Sequence, residues 1–436
     1  MHPLRCPFVF ARVIGLLALL VLIAGDVAAA QKSAATFAST RPELTGTVRR
    51  QDGRPVVHAA VYIYTAAWRT GTSPFCPSCY VDCGKWQRTG STGAFRIRSL
   101  DPKLIFRLLV VCEGYESTFV SGVDPERGPV SIVVRRARVL SGGPGRILNG
   151  RVLDTDGHPV VGATVEPTGC RWAQGEQYGG IAGLTPLTIT GADGRFHLEC
   201  PFDSALIRML IKARGLAPQA TDWLKAGASV PHVVRLTQGV TLSGMVCRPN
   251  GQGLAGVTVQ ATPVDHSSGT FVRWSEIGTD AAGRFLLPNL AAGQEYQVCV
   301  KMEGLSNSDL AVPSQRIRTD KDGALLEGIT LLAQPAATVV GRVALPNSRP
   351  LPAGLRVMLG RVGTWDVIQV PLMSDGRFTF RGVPTEEAME LTVQVQGYRL
   401  SAGVPESDPQ GDQVHLCVPV TTRTLDLALP MEPVPR

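Results

Sequence analysis

Residues 147–167 read Ile147-Leu-Asn-Gly150-Arg-Val152-Leu-Asp154-Thr-Asp156-Gly157-His-Pro-Val-Val-Gly162-Ala-Thr-Val165-Glu-Pro167. An alternating apolar run ends at an Asp-Gly turn, and a second run leads away from it. Alternation of period two puts one strand face in a core and the other in water. Asp-Gly suits a tight hairpin, because both central residues of a type I′ turn need positive φ. A third run opens at Gly194-Arg-Phe196, and nineteen residues after that Phe stands Gly215.

The same order recurs three more times. Gly46-Thr-Val48, Gly244-Met-Val246 and Gly341-Arg-Val343 match Gly150-Arg-Val152. Turns follow at Asp52-Gly53, Asn250-Gly251 and Asn347-Ser348, then strand residues Val61, Val259 and Val357. Gly93-Ala-Phe95, Gly283-Arg-Phe285 and Gly376-Arg-Phe378 open the second half, with Gly114, Gly304 and Gly397 each nineteen residues beyond the Phe. A spacing kept in four copies marks an internal repeat. Short strands with turn signals every 8–12 residues indicate sandwiches. The expectation is an all-β chain of four tandem Ig-like β-sandwich modules after a signal peptide. The modules are expected at 44–136, 148–236, 242–332 and 338–431, strung as a short rod.

The 436 residues include 47 Gly and 32 Pro, which favours turns over long helices. The net charge of +7 is spread thinly, with pairs such as Arg49-Arg50 and Arg135-Arg136, so nucleic acid is not an expected partner. Arg5 and Arg12 precede an apolar run from Val13 to Ala24, and Ala28-Ala29-Ala30 follows Asp26. That order predicts a signal peptide over 1–30, a linker over 31–43 and a mature chain outside the cytoplasm: secreted, periplasmic or on the cell surface. The apolar run is shorter than the ~20 residues a membrane span needs. No span is expected after cleavage.

Nine cysteines then remain, and export favours their oxidation. Cys76, Cys79, Cys83 and Cys112 fall in the first module, Cys170 and Cys200 in the second, Cys247 and Cys299 in the third, with Cys417 left over. Pairing within modules is the economical expectation. A Cys247–Cys299 bridge would close a loop of about 50 residues and stabilise its module by about 3–4 kcal/mol. Four thiolates in the first module would also suit tetrahedral zinc. Its single Cys-x2-Cys knuckle and its export favour two disulfides, and neither metal nor cofactor is expected.

The opening Gly-x-Val, the turn, Gly162-Ala-Thr-Val165, Asp193-Gly-Arg-Phe196, and the closing Glu113-Gly-Tyr115 and Gln396-Gly-Tyr398 resemble the carboxypeptidase regulatory-like domain. Leu216 and Leu305 replace the Tyr in copies two and three, and copy four lacks the turn Gly. The resemblance implies a small Greek-key sandwich akin to prealbumin and to the B-type repeats of collagen adhesins, in an accessory role. Sandwiches of the adhesin kind can carry a Lys–Asn or Lys–Asp crosslink from the first strand. None of the seven Lys lies in an opening strand here.

No His has a Glu three residues on, as a zinc carboxypeptidase needs, and no Gly-x-Ser-x-Gly occurs. His197 and Glu199 share a strand face without a third ligand. The acidic turns Asp154-Thr-Asp156 and Asp320-Lys-Asp322 supply too few oxygens for a calcium loop. The chain is read as no enzyme. Five of the six Trp fall between the hairpin strand and the Gly-x-Phe strand: Trp68, Trp86, Trp172, Trp274 and Trp365. Trp68, Tyr80, Trp86, Trp172 and Tyr178 are candidates for an exposed platform that stacks on sugars or anchors a protein. Trp274 and Trp365 are expected in the cores of their own modules. The preferred function is a non-catalytic secreted or cell-surface interaction protein whose partner is a protein or polysaccharide of the envelope or exterior. The alternatives are a carbohydrate-binding protein using the Trp-bearing loops, and an envelope scaffold with no small ligand.

Overall fold

The computed structural model describes residues 41–136, 143–265, 274–404, 406–408 and 412–434. The predicted signal peptide, nearly all of the 31–43 linker, most of the first junction, His266 and Phe271 lie outside the described residues.

The chain is all-β, with four tandem sandwiches. In the first, β1 (Leu44–Arg50) lies between β4 (Ala94–Ile97), antiparallel, and β7 (Val130–Val134), parallel. The facing sheet runs β3 (Trp86–Arg88), β2 (Ala60–Trp68), β5 (Leu104–Val111), β6 (Thr118–Val123). The opening strands Ile147–Leu153, Val240–Cys247 and Ala337–Ala344 hold the same central place in their sheets, between an antiparallel and a parallel neighbour. Each sandwich closes over its own apolar core.

The register explains why the two repeat motifs travel together. Gly46 pairs with Phe95, Gly150 with Phe196, Gly244 with Phe285 and Gly341 with Phe378. In each pair the Phe ring lies over the glycine, and a Cβ there would overlap the ring. The small residue makes room for the large one across the ladder. Gly93, Gly194, Gly283 and Gly376 take φ of +75° to +82°, and a Cβ would run into the carbonyl of Val48, Val152, Val246 or Val343. Only glycine fits both demands.

The first turns differ from the type I′ expectation. Gly53, Gly157 and Gly251 have positive φ but Asp52, Asp156 and Asn250 do not. Gly53 N–H donates to the Arg50 carbonyl at 3.0 Å, and Arg50 N–H donates to Arg54 at 2.8 Å. This is a three-residue loop, a type I turn followed by a left-handed Gly. Only Asn347 and Ser348 are both at positive φ, 55° and 51°.

The modules do not form a rod. A strip of the first module reaches the fourth: Thr72 N–H donates to the Gly354 carbonyl at 2.9 Å, and Trp68 Nε1 donates to Gln369 Oε1 at 3.0 Å. The outer face of β2 and β5, through Tyr62, Leu109 and Val111, packs with Leu187 and Ile189 of the second module. Modules three and four share a buried seam, described below. The chain therefore folds back, so that its first and last sandwiches meet.

Candidate functional site

The insertion between β2 and β3 is held by the fourth module. Arg356 lies over the Trp68 ring, 3.5 Å from its centroid, and Ser73 Oγ also contacts Gln369 Oε1. Tyr80 is buried, edge-on to Phe75 at 4.9 Å. Burial raises its pKa, against the lowering influence of Ser73 and Gln369. Trp86 joins the apolar contact between modules one and two. Trp172 stacks on Phe202 with centroids 4.2 Å apart and planes 7° apart. Four of the five candidate aromatics are thus engaged inside the molecule, and the structure does not gather them into one platform.

Tyr178 alone of the five is exposed, at 49%. It stands directly across from Gly169, where the absent side chain leaves room for Trp223. The guanidiniums of Arg171 and Arg208 sit 4.7 and 4.9 Å from the Trp223 ring centroid, and Arg171 also holds Glu176 at 2.7 Å. Trp223 is the one Trp outside the repeat segment singled out from sequence. Its place could not be read there, because it lies over a glycine more than fifty residues earlier.

Trp274 and Trp365 are not core residues of their own modules. They meet each other at 5.8 Å, beside the seam between modules three and four. At that seam Arg361, with its side chain 1% exposed, donates Nε–H to Asp366 Oδ2 at 2.7 Å and Nη1–H to Glu387 Oε2. Its Nη2 donates to the carbonyls of Val300 (3.2 Å) and Val312 (2.8 Å) of module three. Asp366 Oδ1 accepts from Met302 N–H at 2.9 Å. Burial opposes the charge on Arg361, but its negative neighbours, Asp366 first, raise its pKa on balance, while burial also pushes Asp366 up against the pull of the guanidinium. The available sequence signal was an Arg closing the apolar strand Arg356–Arg361 with an Asp five residues on.

The cysteines separate into unlike settings. Cys170 and Cys200 meet in the core of module two, sulfurs 3.9 Å apart. Burial, then the Cys200 thiol, pushes Cys170 up to about 12. Cys247 and Cys299 cannot pair as expected. Val246, Val298 and Val300 face the core of module three, so alternation turns the adjacent Cys247 and Cys299 to opposite outer faces of two stacked sheets. A disulfide tolerates at most ~7 Å between Cα atoms. Two bridges among the four cysteines of module one also fail, as does a four-thiolate zinc site. Cys112 follows the β5 residue paired with Ala60, whereas Pro77 of the cluster bonds Ala66, roughly 20 Å along the strand. Cys76, Cys79 and Cys83 stay together, and Cys417 is exposed.

The acidic turns are satisfied by backbone. Asp154 Oδ1 accepts from Asp156 and His158 N–H at 3.0 and 2.8 Å, and Asp322 Oδ1 from Gly239 N–H at 2.7 Å. His197 and Glu199 are exposed, on the wall of a cleft of ≈ 1780 Å³ between modules one and two.

No family model and no curated protein matches this chain. Among solved structures it is similar to a streptococcal ancillary pilin, at 12% identity over 67% of this chain and 99% of that one, with a TM-score of 0.25. The minor pilin GBS52 of Streptococcus agalactiae matches at 13% identity over 45% and 98%, with a TM-score of 0.22. BcpA, the major pilin subunit of Bacillus cereus, matches at 11% over 67% and 99%, with a TM-score of 0.19. Likeness of this degree adds nothing beyond the all-β sandwich class already described. No helix among the described residues is long and apolar enough to cross a membrane.

Proposed function

We propose that the chain is a non-catalytic structural and interaction protein of the cell exterior, built of carboxypeptidase regulatory-like repeats that act as one block. The observation that carries this reading is the Arg361 seam. A fully buried guanidinium shared by two modules holds their relative position, and holding position is what a scaffold requires. Its partner would be a protein or polysaccharide of the envelope. Cell fractionation with N-terminal mass determination tests the reading. A chain beginning near Gln31 in the exported fraction is expected. A cytoplasmic chain keeping residues 1–30 refutes it.

A second reading, carbohydrate binding, is favoured by one observation: exposed Tyr178 beside Trp223, with Arg171 and Arg208 close by. Rings stack on sugar faces, and guanidiniums pair with carboxylate or phosphate groups. Retention on an acidic polysaccharide that Tyr178→Ala and Trp223→Ala both abolish would support it. Equal retention of all three chains would remove it.

A further inference from the structure

Cys76-Pro77-Ser78-Cys79 forms a turn in the insertion, closed by Cys79 N–H donating to the Cys76 carbonyl at 3.0 Å. The first sulfur is partly exposed and the second is buried, 9% exposed. Several donors converge on Cys76 Sγ: the Cys79 thiol, the Ser78 hydroxyl at 3.2 Å, and the backbone N–H groups of Ser78 and Cys79. Donors aimed at one sulfur favour its thiolate. The Cys79 thiol is the largest influence, and against the opposing effect of burial the set brings Cys76 down to about 5. Other thiols move the opposite way. Burial raises Cys112, and takes Cys170 and Cys299 to about 12. The third sulfur of the loop, Cys83, is turned to the Pro77 carbonyl at 3.4 Å.

We propose that Cys76 and Cys79 form a thiol–disulfide exchange site, whose substrate is a disulfide, small or on another protein, that reaches Cys76 from solvent. The Cys76 thiolate attacks one sulfur of RS–SR′. A Cys76–SR bond forms, the S–S bond breaks, and R′S⁻ leaves with the electron pair and takes a proton from water. Cys79 then loses its proton to water and attacks Cys76 Sγ, which expels RS⁻ and closes a Cys76–Cys79 bridge. The chain gives up two electrons, and the incoming disulfide becomes two thiols. In reverse, the oxidised loop passes its disulfide to a dithiol. Cys79 already bonds Cys76 Sγ, so the second attack needs little movement.

Exchange runs through the thiolate, whose nucleophilicity falls as its basicity falls, at a Brønsted slope near 0.45. At pH 6 a thiol near 5 is ionised about 300-fold more than one near 8.5, while its thiolate is about 40-fold less nucleophilic. Cys76 should therefore react roughly tenfold faster than an ordinary exposed cysteine. The full-length mature chain, reduced and freed of reductant, is treated with oxidised glutathione at pH 6, quenched in acid and mapped by peptide mass. Wild type is expected to yield a Cys76–Cys79 bridge with no glutathione retained, and Cys79→Ser to keep one glutathione on Cys76. Iodoacetamide at pH 6 tests the unsubstituted chain without relying on any variant's folding, and Cys76 should be labelled before Cys417. Labelling of Cys417 first, a wild-type chain that keeps glutathione on Cys76, or a bridge that uses Cys83 overturns the proposal.

Discussion

Replacing Arg361 by Met tests the seam between modules three and four. The substitution keeps most of the side-chain volume and removes all its donors. It leaves the Asp366 carboxylate, 0% exposed, with only the Met302 N–H, and takes a donor from the Val300 and Val312 carbonyls. Glu387 keeps Ser314 as a partner. Removing one partner of a buried ion pair costs about 3–5 kcal/mol, because the remaining charge is stranded. Set against the ~5–15 kcal/mol stability of a whole domain, that is enough to uncouple two modules. Urea unfolding followed by Trp fluorescence reads it, since Trp274 and Trp365 meet beside the seam. Wild type should lose modules three and four together, whereas Arg361→Met should split or shift that transition by about 3–5 kcal/mol. Adding Asp366→Leu removes the stranded carboxylate and should recover part of the loss. A change below about 1 kcal/mol in the single variant, or a double variant that is worse, would refute the reasoning.

Four further outcomes follow from the geometry. Gly341→Ala forces a Cβ into the Phe378 ring and should cost about 1–3 kcal/mol in thermal or urea unfolding, with Phe378→Leu restoring part of it. Thr190→Val loses a hydroxyl that accepts from Ala163 N–H (2.8 Å) and donates to the Val160 carbonyl (2.6 Å), so unfolding free energy should fall by about 2–3 kcal/mol. Oxidation should join Cys170 to Cys200 and never Cys247 to Cys299, as disulfide mapping will show. In the reduced native chain, thiols raised to about 12 stay protonated below that pH, so alkylation at pH 8 should spare Cys170 and Cys299 until urea unfolds them.

The fourfold repeat was legible because each copy has to meet the same two steric demands. A glycine must sit beneath a Phe, and a second glycine must turn against a carbonyl. One clamp was missed. Thr89, Thr190 and Thr279 each stand four residues before that second glycine, and each bonds both ends of the preceding loop. In the fourth copy the position is Leu372, which hides the pattern. The site was read less well, because its contacts cross modules. Trp68 looks like a free loop aromatic until Gln369, 301 residues away, is placed beside it. Cys247 and Cys299 looked like a pair because they share a module, although strand alternation next to Val246 and Val298 already turned them apart. Sequence order told which residues repeat, but not which face of one module another would cover.

The folding back of the first module onto the fourth is tested most directly at one amide. Thr72 lies in a loop outside the strands of its own module, and its N–H donates to the Gly354 carbonyl at 2.9 Å. Hydrogen exchange of the intact chain should find this amide protected. Protection should vanish in Gly354→Ala, where the residue's φ of +78° is strained for Ala and its Cβ would come 2.9 Å from the Gly71 Cα. A Thr72 amide that exchanges in wild type as fast as an unstructured loop would contradict the account.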